Sequence, residues 1–228
     1  MARRDSVIAR LAQTVDLLGA LADSFVFVGG SVAPLLVTDT GAADARSTID
    51  VDAVVQVATR SEYQEIETRL AAAKFQLDPT EDVVCRYKNG ELLLDVIPSA
   101  SEVFGFGNKW LNQAPDAPLL YELATRKTIN IINAPLFLCT KFIAFDERGP
   151  AEDKDLEDIV SIVDGRRELM GELKTSSLEI KEYVASSTRQ LLKTSFPQNI
   201  SWFLPQDSAS ADRDTLVLER FKMMQSLT

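Results

Sequence analysis

Apolar residues recur along the chain with two different periods, and the change of period divides it into elements. Between residues 5 and 22, Ile8, Leu11, Val15 and Leu18 stand at helical spacing and predict an amphipathic helix. Phe25 to Val28 is an unbroken apolar run that stops at Gly29-Gly30, the pattern of a buried strand feeding a tight turn. Ser31 to Val37 reads as a helix with Ser31 as its cap, and the small polar residues from Thr38 to Ser47 read as a loop. From Thr48 to Val57 the period becomes two. Ile49, Val51, Ala53, Val55 and Val57 share one face, and Asp50, Asp52, Val54 and Gln56 the other. Thr59 with Glu62 makes a capping box for a helix carrying Tyr63, Ile66 and Leu70. Asn89-Gly90, between apolar runs at 83–88 and 91–97, predicts a hairpin closed by a type I′ turn, with Asp95 inside its second strand.

A Gly- and Pro-rich stretch at 98–118 precedes a further strand at 128–132, and after Pro135 the pattern is helical throughout. The first helix runs through Lys141 to about Phe145. Leu156, Ile159, Val160 and Val163 form a stripe that Gly165 stops, Ile180, Val184 and Leu191 form another, and a last helix at 211–226 buries Leu216 and Phe221. The expected class is α/β (α+β): an α/β half over residues 1–133, then a helical half over 134–228.

Composition narrows the chemistry more than the architecture. At 228 residues the chain can hide roughly 72% of its unfolded surface, and no apolar run approaches the roughly 18 residues that a membrane span requires. The N-terminal Met-Ala-Arg-Arg-Asp has the charge of a signal peptide, but Asp16 and Asp23 interrupt the apolar residues after it, so a cytoplasmic protein is expected. Cys85 and Cys139 sit in apolar stretches and read as buried free thiols, which suits a reducing compartment. There is no histidine, which excludes Ser-His-Asp and Cys-His nucleophilic sites, His-ligated zinc and His acid–base pairs. Carboxylates, lysines and metal ions are left to carry any catalysis. The formal net charge of -10 opposes a broad surface for coating nucleic acid and leaves room for one local basic patch.

Three Asp-x-Asp triplets occur among 19 aspartates, and context separates them. Asp153-Lys154-Asp155 and Asp212-Arg213-Asp214 stand at helix starts, where acids complement the helix dipole without any further role. Asp50-Val51-Asp52 lies in an alternating strand, where two carboxylates about 7 Å apart repel each other and resist desolvation unless a cation joins them. The plainer reading is a strand with a solvated polar side. Gly29-Gly30-Ser31 shifts the balance, because a strand ending in Gly-Gly lets a phosphate approach the backbone and meet the Ser hydroxyl. Asp95, in Leu92-Leu93-Leu94-Asp95-Val96-Ile97, is a lone carboxylate where the pattern wants an aliphatic side chain. Three carboxylates beside a phosphate-holding turn are the parts of two-metal phosphoryl transfer, with oxygen ligands suited to magnesium.

This set resembles the nucleotidyltransferase superfamily typified by DNA polymerase β, whose signature is a strand, Gly-Gly/Ser, Asp-x-Asp and a later strand carboxylate. Within it the chain is most similar to the AbiEii-type toxin nucleotidyltransferases of bacterial toxin–antitoxin and phage-defence systems. Arg46-Ser47-Thr48-Ile49-Asp50-Val51-Asp52 resembles that family's Arg-x-Thr-x-Asp-hydrophobic-Asp stretch. Phe137 to Phe145, with Lys141, resembles its lysine-bearing helix, followed by Arg148 in a short loop, and Lys154-Asp155-Leu156-Glu157-Asp158 resembles its Lys-Asp-x-x-Asp helix start. The resemblance covers approximately residues 20–166. The 18 residues between Ser31 and Asp50 exceed the gap in compact members and leave the 38–47 loop as a candidate for the acceptor site.

The resemblance implies a mixed-sheet core, with residues 134–228 packing on it and completing the site. It implies that Asp50, Asp52 and Asp95 hold Mg2+ or Mn2+, that Asp95 also helps take the proton from the attacking hydroxyl, and that Gly29, Gly30 and Ser31 cradle the phosphates. Lys141 would contact the triphosphate, and Asp155 would position Lys141 or a base. The reaction implied is transfer of an NMP from an NTP to an acceptor hydroxyl of RNA, in some members the tRNA 3′ end, with an antitoxin as a possible partner and no role at a membrane. Lys109, Arg126, Lys127 and Arg148 would then rim the site. Two alternatives stand beside it: modification of a small cationic acceptor such as an aminoglycoside, and a degenerate nucleotide-binding partner subunit. Gly105 to Trp110 also resembles a segment of close relatives and reads as a turn anchored by aromatics, while Trp202 and Phe203 read as packing residues in a Pro-bounded loop.

Overall fold

The computed structural model describes residues 2–42, 46–77, 83–105, 108–149, 153–204 and 212–228. They divide into two compact units, one of Met1–Pro34 with Ser47–Asn133, the other of Leu35–Arg46 with Ala134–Thr228.

In the first unit, α1 (Ala2–Leu18) buries Val7, Leu11, Val15 and Leu18, so that Val7 rather than Ile8 heads its apolar stripe. A 3₁₀ turn then leads into β1 (Phe25–Val28), whose four residues are all buried. The helix expected from Ser31 is the single turn α2 (Ala33–Leu36), and Ser31 does not cap it: its hydroxyl donates back to the Val28 carbonyl at 3.1 Å. β2 (Asp50–Val55) is shorter than the alternation suggested, because Thr48 and Ile49 precede the ladder and Ile49 is 65% exposed. α3 (Arg60–Ala72) carries the expected capping box, Thr59 with Glu62, and the Tyr63 hydroxyl fastens it to the sheet by donating to the Val96 carbonyl at 2.7 Å. The edge of the sheet is made by β3 (Gln76–Leu77), β4 (Arg86–Asn89) and β5 (Leu92–Pro98). After α4 (Lys109–Asn112), β6 (Leu119–Glu122) and β7 (Thr128–Ile131) form the other edge. The strand order is β3-β4-β5-β2-β1-β7-β6, with β1 parallel to β7, β2 parallel to β5 and the remaining neighbours antiparallel.

The hairpin turn differs from expectation by one residue. Asn89 pairs with Leu92, so the two loop residues are Gly90 and Glu91. Of Asn89, Gly90 and Glu91, only Gly90 has a positive φ, +60°, whereas a type I′ turn needs two such residues. A glycine-first turn of the II′ pattern closes the hairpin instead.

The second unit is built of helices: α5 (Ala134–Arg148), α6 (Lys154–Gly165), α7 (Leu169–Thr175), α8 (Leu178–Leu191), α9 (Phe196–Asn199) and α10 (Arg213–Met224). α5 buries every residue from Ala134 to Phe142, including Lys141. In α10 the buried stripe is Val217, Phe221 and Met224, at i, i+4 and i+7, and Leu216 faces outward. Trp202, expected to pack, is 76% exposed, while Phe203 rests near the Phe196 ring. Together the two units give the expected class, a mixed α/β fold with a helical second half. No helix among the described residues is long and apolar enough to cross a membrane.

Gly165 ends α6 by a different route from a left-handed stop. A Cβ there would stand 2.7 Å from Val37 Cγ1 and 3.0 Å from Ala42 Cβ, so its bareness admits the 37–42 segment. The Gly165 carbonyl accepts from the Thr38 and Asp39 amides at 2.9 and 2.8 Å, Thr38 Oγ1 donates to Glu168, and Asp39 pairs with Arg167 and Arg213. Residues 38–42 thus serve as a clasp on the end of α6. Residues 43–45 lie outside the described residues.

Candidate active site

Sheet register assembles the acidic residues. β2 and β5 run parallel with Asp52 opposite Asp95, and β4 runs antiparallel to β5 with Arg86 opposite Asp95. Directly opposed residues share a face and alternate residues return to it, so Asp50, Asp52, Asp95 and Arg86 all project from the same side. One carboxylate oxygen from each of Asp50, Asp52 and Asp95 lies within 4.8 Å of the other two. Asp95 is buried, and Asp50 and Asp52 are half-buried.

The acids are held by their neighbours. Thr48 Oγ1 donates to Asp50 Oδ1 at 2.5 Å, and the Thr48 carbonyl accepts from the Arg10 guanidinium. Arg86 forks onto Asp95, with Nε 2.8 Å from Oδ1 and Nη2 2.7 Å from Oδ2, and the same Nη2 reaches Asp50 Oδ2 at 3.2 Å. Asp52 lies against the turn that leaves β1: Gly29 has φ +67°, and a Cβ on it would fall 2.0 Å from Asp52 Oδ2. Gly29 therefore makes room for a carboxylate, and Gly30 and Ser31 continue the same turn.

Three converging oxygen donors, with a glycine whose missing Cβ leaves space for one of them, fit a hard divalent ion such as Mg2+ or Mn2+. Cys85 does not join them as a thiolate. Burial, followed by the charges of Asp95 and Asp52, pushes its thiol up to about 12. Cys85 and Cys139 are both free and buried, as expected.

The second unit contains a charged cluster. Lys141 Nζ lies 3.1 Å from Asp155 Oδ1 and 2.6 Å from Asp158 Oδ2; Arg46 Nε is 3.2 Å from Asp158 Oδ1, and Arg148, the last residue of α5, pairs with Asp155. Lys141, Asp155 and Asp158 are all buried. Burial pulls the Lys141 ammonium down, but the charges of Asp158 and Asp155 outweigh it and leave its pKa above the ordinary lysine value. The cluster keeps Lys141 protonated at neutral pH. Asp158, a motif residue to which sequence reasoning gave no task, is part of the hold on it, and Arg46, another, pairs with Asp158 while its own charge acts against the Lys141 ammonium.

Among the remaining basic residues, Lys127 pairs with Asp16 at 2.8 Å and Lys109 Nζ stands 4.3 Å from the Trp110 ring centroid. Trp110 is fully buried, and Asn108 caps α4 by accepting from its amide at 2.9 Å. Phe106 and Gly107, in the middle of that motif, lie outside the described residues.

Arg86 is the site residue that sequence reasoning missed, and the hairpin register explains why. With Asn89 and Gly90 as the loop residues, Asp95 would face Val84. The observed turn at Gly90 and Glu91 puts Arg86 there instead.

No family model matches the sequence, and no curated protein matches it. Solved structures do match its fold. An antigenic nucleotidyltransferase-like protein from Paracoccidioides brasiliensis aligns over 89% of this chain and 92% of its own, with a TM-score of 0.53 at 20% identity. A candidate nucleotidyltransferase from H. pylori aligns over 97% of this chain and 94% of its own, with a TM-score of 0.50 at 12% identity. The chain has a nucleotidyltransferase-like fold.

Proposed function

We propose that this chain is a metal-dependent nucleotidyltransferase that moves an NMP from an NTP to an acceptor hydroxyl, with RNA, in particular the tRNA 3′ end, as the acceptor. The observation that carries the reading is the convergence of Asp50, Asp52 and Asp95, with Asp52 seated against the Gly29 turn. Asp50, Asp52 and Asp95 would hold Mg2+ or Mn2+, which when bound supplies Lewis-acid polarisation of phosphoryl oxygens. The acceptor oxygen forms a bond to the α-phosphorus, the bond from that phosphorus to the bridging oxygen of the β-phosphate breaks, and pyrophosphate leaves. Asp95 takes the acceptor proton, and the backbone of Gly29, Gly30 and Ser31 meets the phosphates. Lys141 carries the positive charge for the triphosphate, and Asp155 positions it.

The same reading makes the protein a cytoplasmic toxin of the AbiEii type, with an antitoxin as its partner. A net charge of -10 favours one other acceptor, a small cation of the aminoglycoside kind. Retention of all three carboxylates argues against a partner subunit that only binds nucleotide. The test incubates the full chain with α-labelled NTPs and either RNA or an aminoglycoside. Label should enter RNA only with Mg2+ or Mn2+, fall steeply with salt, and vanish in folded Asp50→Asn and Asp52→Asn variants. Transfer that persists in chelator sinks the metal reading, and label that enters only the aminoglycoside replaces the acceptor.

A further inference from the structure

Arg86 stands where a cation is needed. Its guanidinium satisfies both oxygens of Asp95 and one oxygen of Asp50, two of the three acids that converge on one another. The arrangement is shielded from solvent, since the side chains of Arg86 and Asp95 are only 13% and 9% exposed. A bidentate guanidinium–carboxylate pair is among the stronger charge-assisted contacts in proteins, and here its Nη2 is shared between two acids. Three unpartnered carboxylates at this spacing would repel one another, and Arg86 removes much of that repulsion without any ion.

We propose that Arg86 is a built-in counter-ion that competes with the divalent metal: it holds the acids together before the metal arrives and must loosen its fork for the ion to bind. This rests on the reading of Asp50, Asp52 and Asp95 as metal ligands. The fork uses Asp95 Oδ1 and Oδ2 and Asp50 Oδ2, so an ion drawing on those oxygens displaces hydrogen bonds the protein already makes. Metal affinity is thereby set lower than the acids alone would give, and the empty site remains folded. Arg86 is in this sense a positioning residue whose effect is on metal occupancy rather than on the reacting atoms.

Mn2+ binding, followed by the loss of the free-ion electron paramagnetic resonance signal in the full chain, tests the idea without any turnover. Arg86→Gln should bind Mn2+ at least about tenfold more tightly than the unsubstituted chain, because it removes one positive charge from the ligand cluster. Its melting temperature should be lower in chelator and should rise more on adding Mn2+. Arg86→Lys, which keeps the charge but loses the fork, should be tighter by only a few-fold. Equal or weaker Mn2+ binding in both variants overturns the proposal, and so does failure of both to fold in the presence of Mn2+, since the ion is meant to replace the guanidinium. The metal reading is judged separately by Asp50→Asn and Asp52→Asn. If they lose Mn2+ binding while Arg86→Gln gains none, only the role of Arg86 falls; if no form of the chain binds Mn2+, both fall.

Discussion

Gly29→Ala separates the requirement for a glycine turn from the requirement for a carboxylate site. Gly29 has φ +67°, and an alanine Cβ there would lie 2.0 Å from Asp52 Oδ2, 2.8 Å from its Cγ and 3.1 Å from its Cβ. No such contact is tolerable, so Asp52 has to rotate away. Gly90 provides the control. Its φ is +60°, close to that of Gly29, but a Cβ on it meets nothing within 4 Å. Both substitutions carry the left-handed penalty of roughly 1–2 kcal/mol, which corresponds to about 2–8 °C in melting temperature for a chain of this size. Only Gly29→Ala also moves a ligand, and displacing a group that orients a metal ligand costs about 10- to 100-fold in metal affinity. Melting curves in chelator with parallel Mn2+ titrations read the two effects. Gly90→Ala should lose stability and keep its Mn2+ affinity, while Gly29→Ala should lose both. Wild-type Mn2+ affinity in a folded Gly29→Ala chain would refute the placement of Asp52 against the turn.

The buried cluster on α5 and α6 predicts that Lys141→Met leaves Asp155 and Asp158 short of a cation and costs about 3–5 kcal/mol in urea unfolding. Adding Asp155→Asn should cost less than the sum of the two single changes, and strict additivity would separate their roles. Because the Lys141 pKa is raised in the fold, its contribution is complete below the unfolded lysine value and fades as pH rises through the folded one. The unsubstituted chain should therefore lose its advantage over Lys141→Met only above about pH 10. Two helical glycines should respond with opposite signs: Gly165→Ala should cost roughly 1–3 kcal/mol by crowding Val37 and Ala42, while Gly171→Ala, with open space around it, should gain up to about 1 kcal/mol. With the Cys85 thiol pushed up to about 12 and both cysteines buried, an aromatic disulfide reagent at pH 8 should label neither in the native chain and both after unfolding; rapid native labelling counts against that burial.

Legibility followed the range of the interactions. Local signals were readable: the capping box of Thr59 and Glu62, the apolar run of β1 and the β7 strand all depend on residues within a few positions of one another. The two-residue β3 and the edge strand β6, whose Leu120 is exposed, contain no buried residue and exist through pairing with β4 and β7. Gly165 reads as a stop because the glycine is visible in the sequence while Val37, 128 positions away, is not marked as its neighbour. The candidate site shows the same division. Asp50, Asp52 and Asp95 stood out because each is a charge in a pattern that asks for burial, a property of its own strand. Arg86 carried no such mark, since a cation near the start of a hairpin is ordinary. Its importance arises from register alone, and register turned on whether the hairpin loop used Asn89-Gly90 or Gly90-Glu91. Both loops leave Arg86 on the face shared with Asp95, because a shift of one loop residue moves the pairing by two positions and preserves alternation. The face was thus determined by local pattern, whereas the contact between the guanidinium and the carboxylate was determined by the turn, in which a single positive φ at Gly90 places Arg86 opposite Asp95.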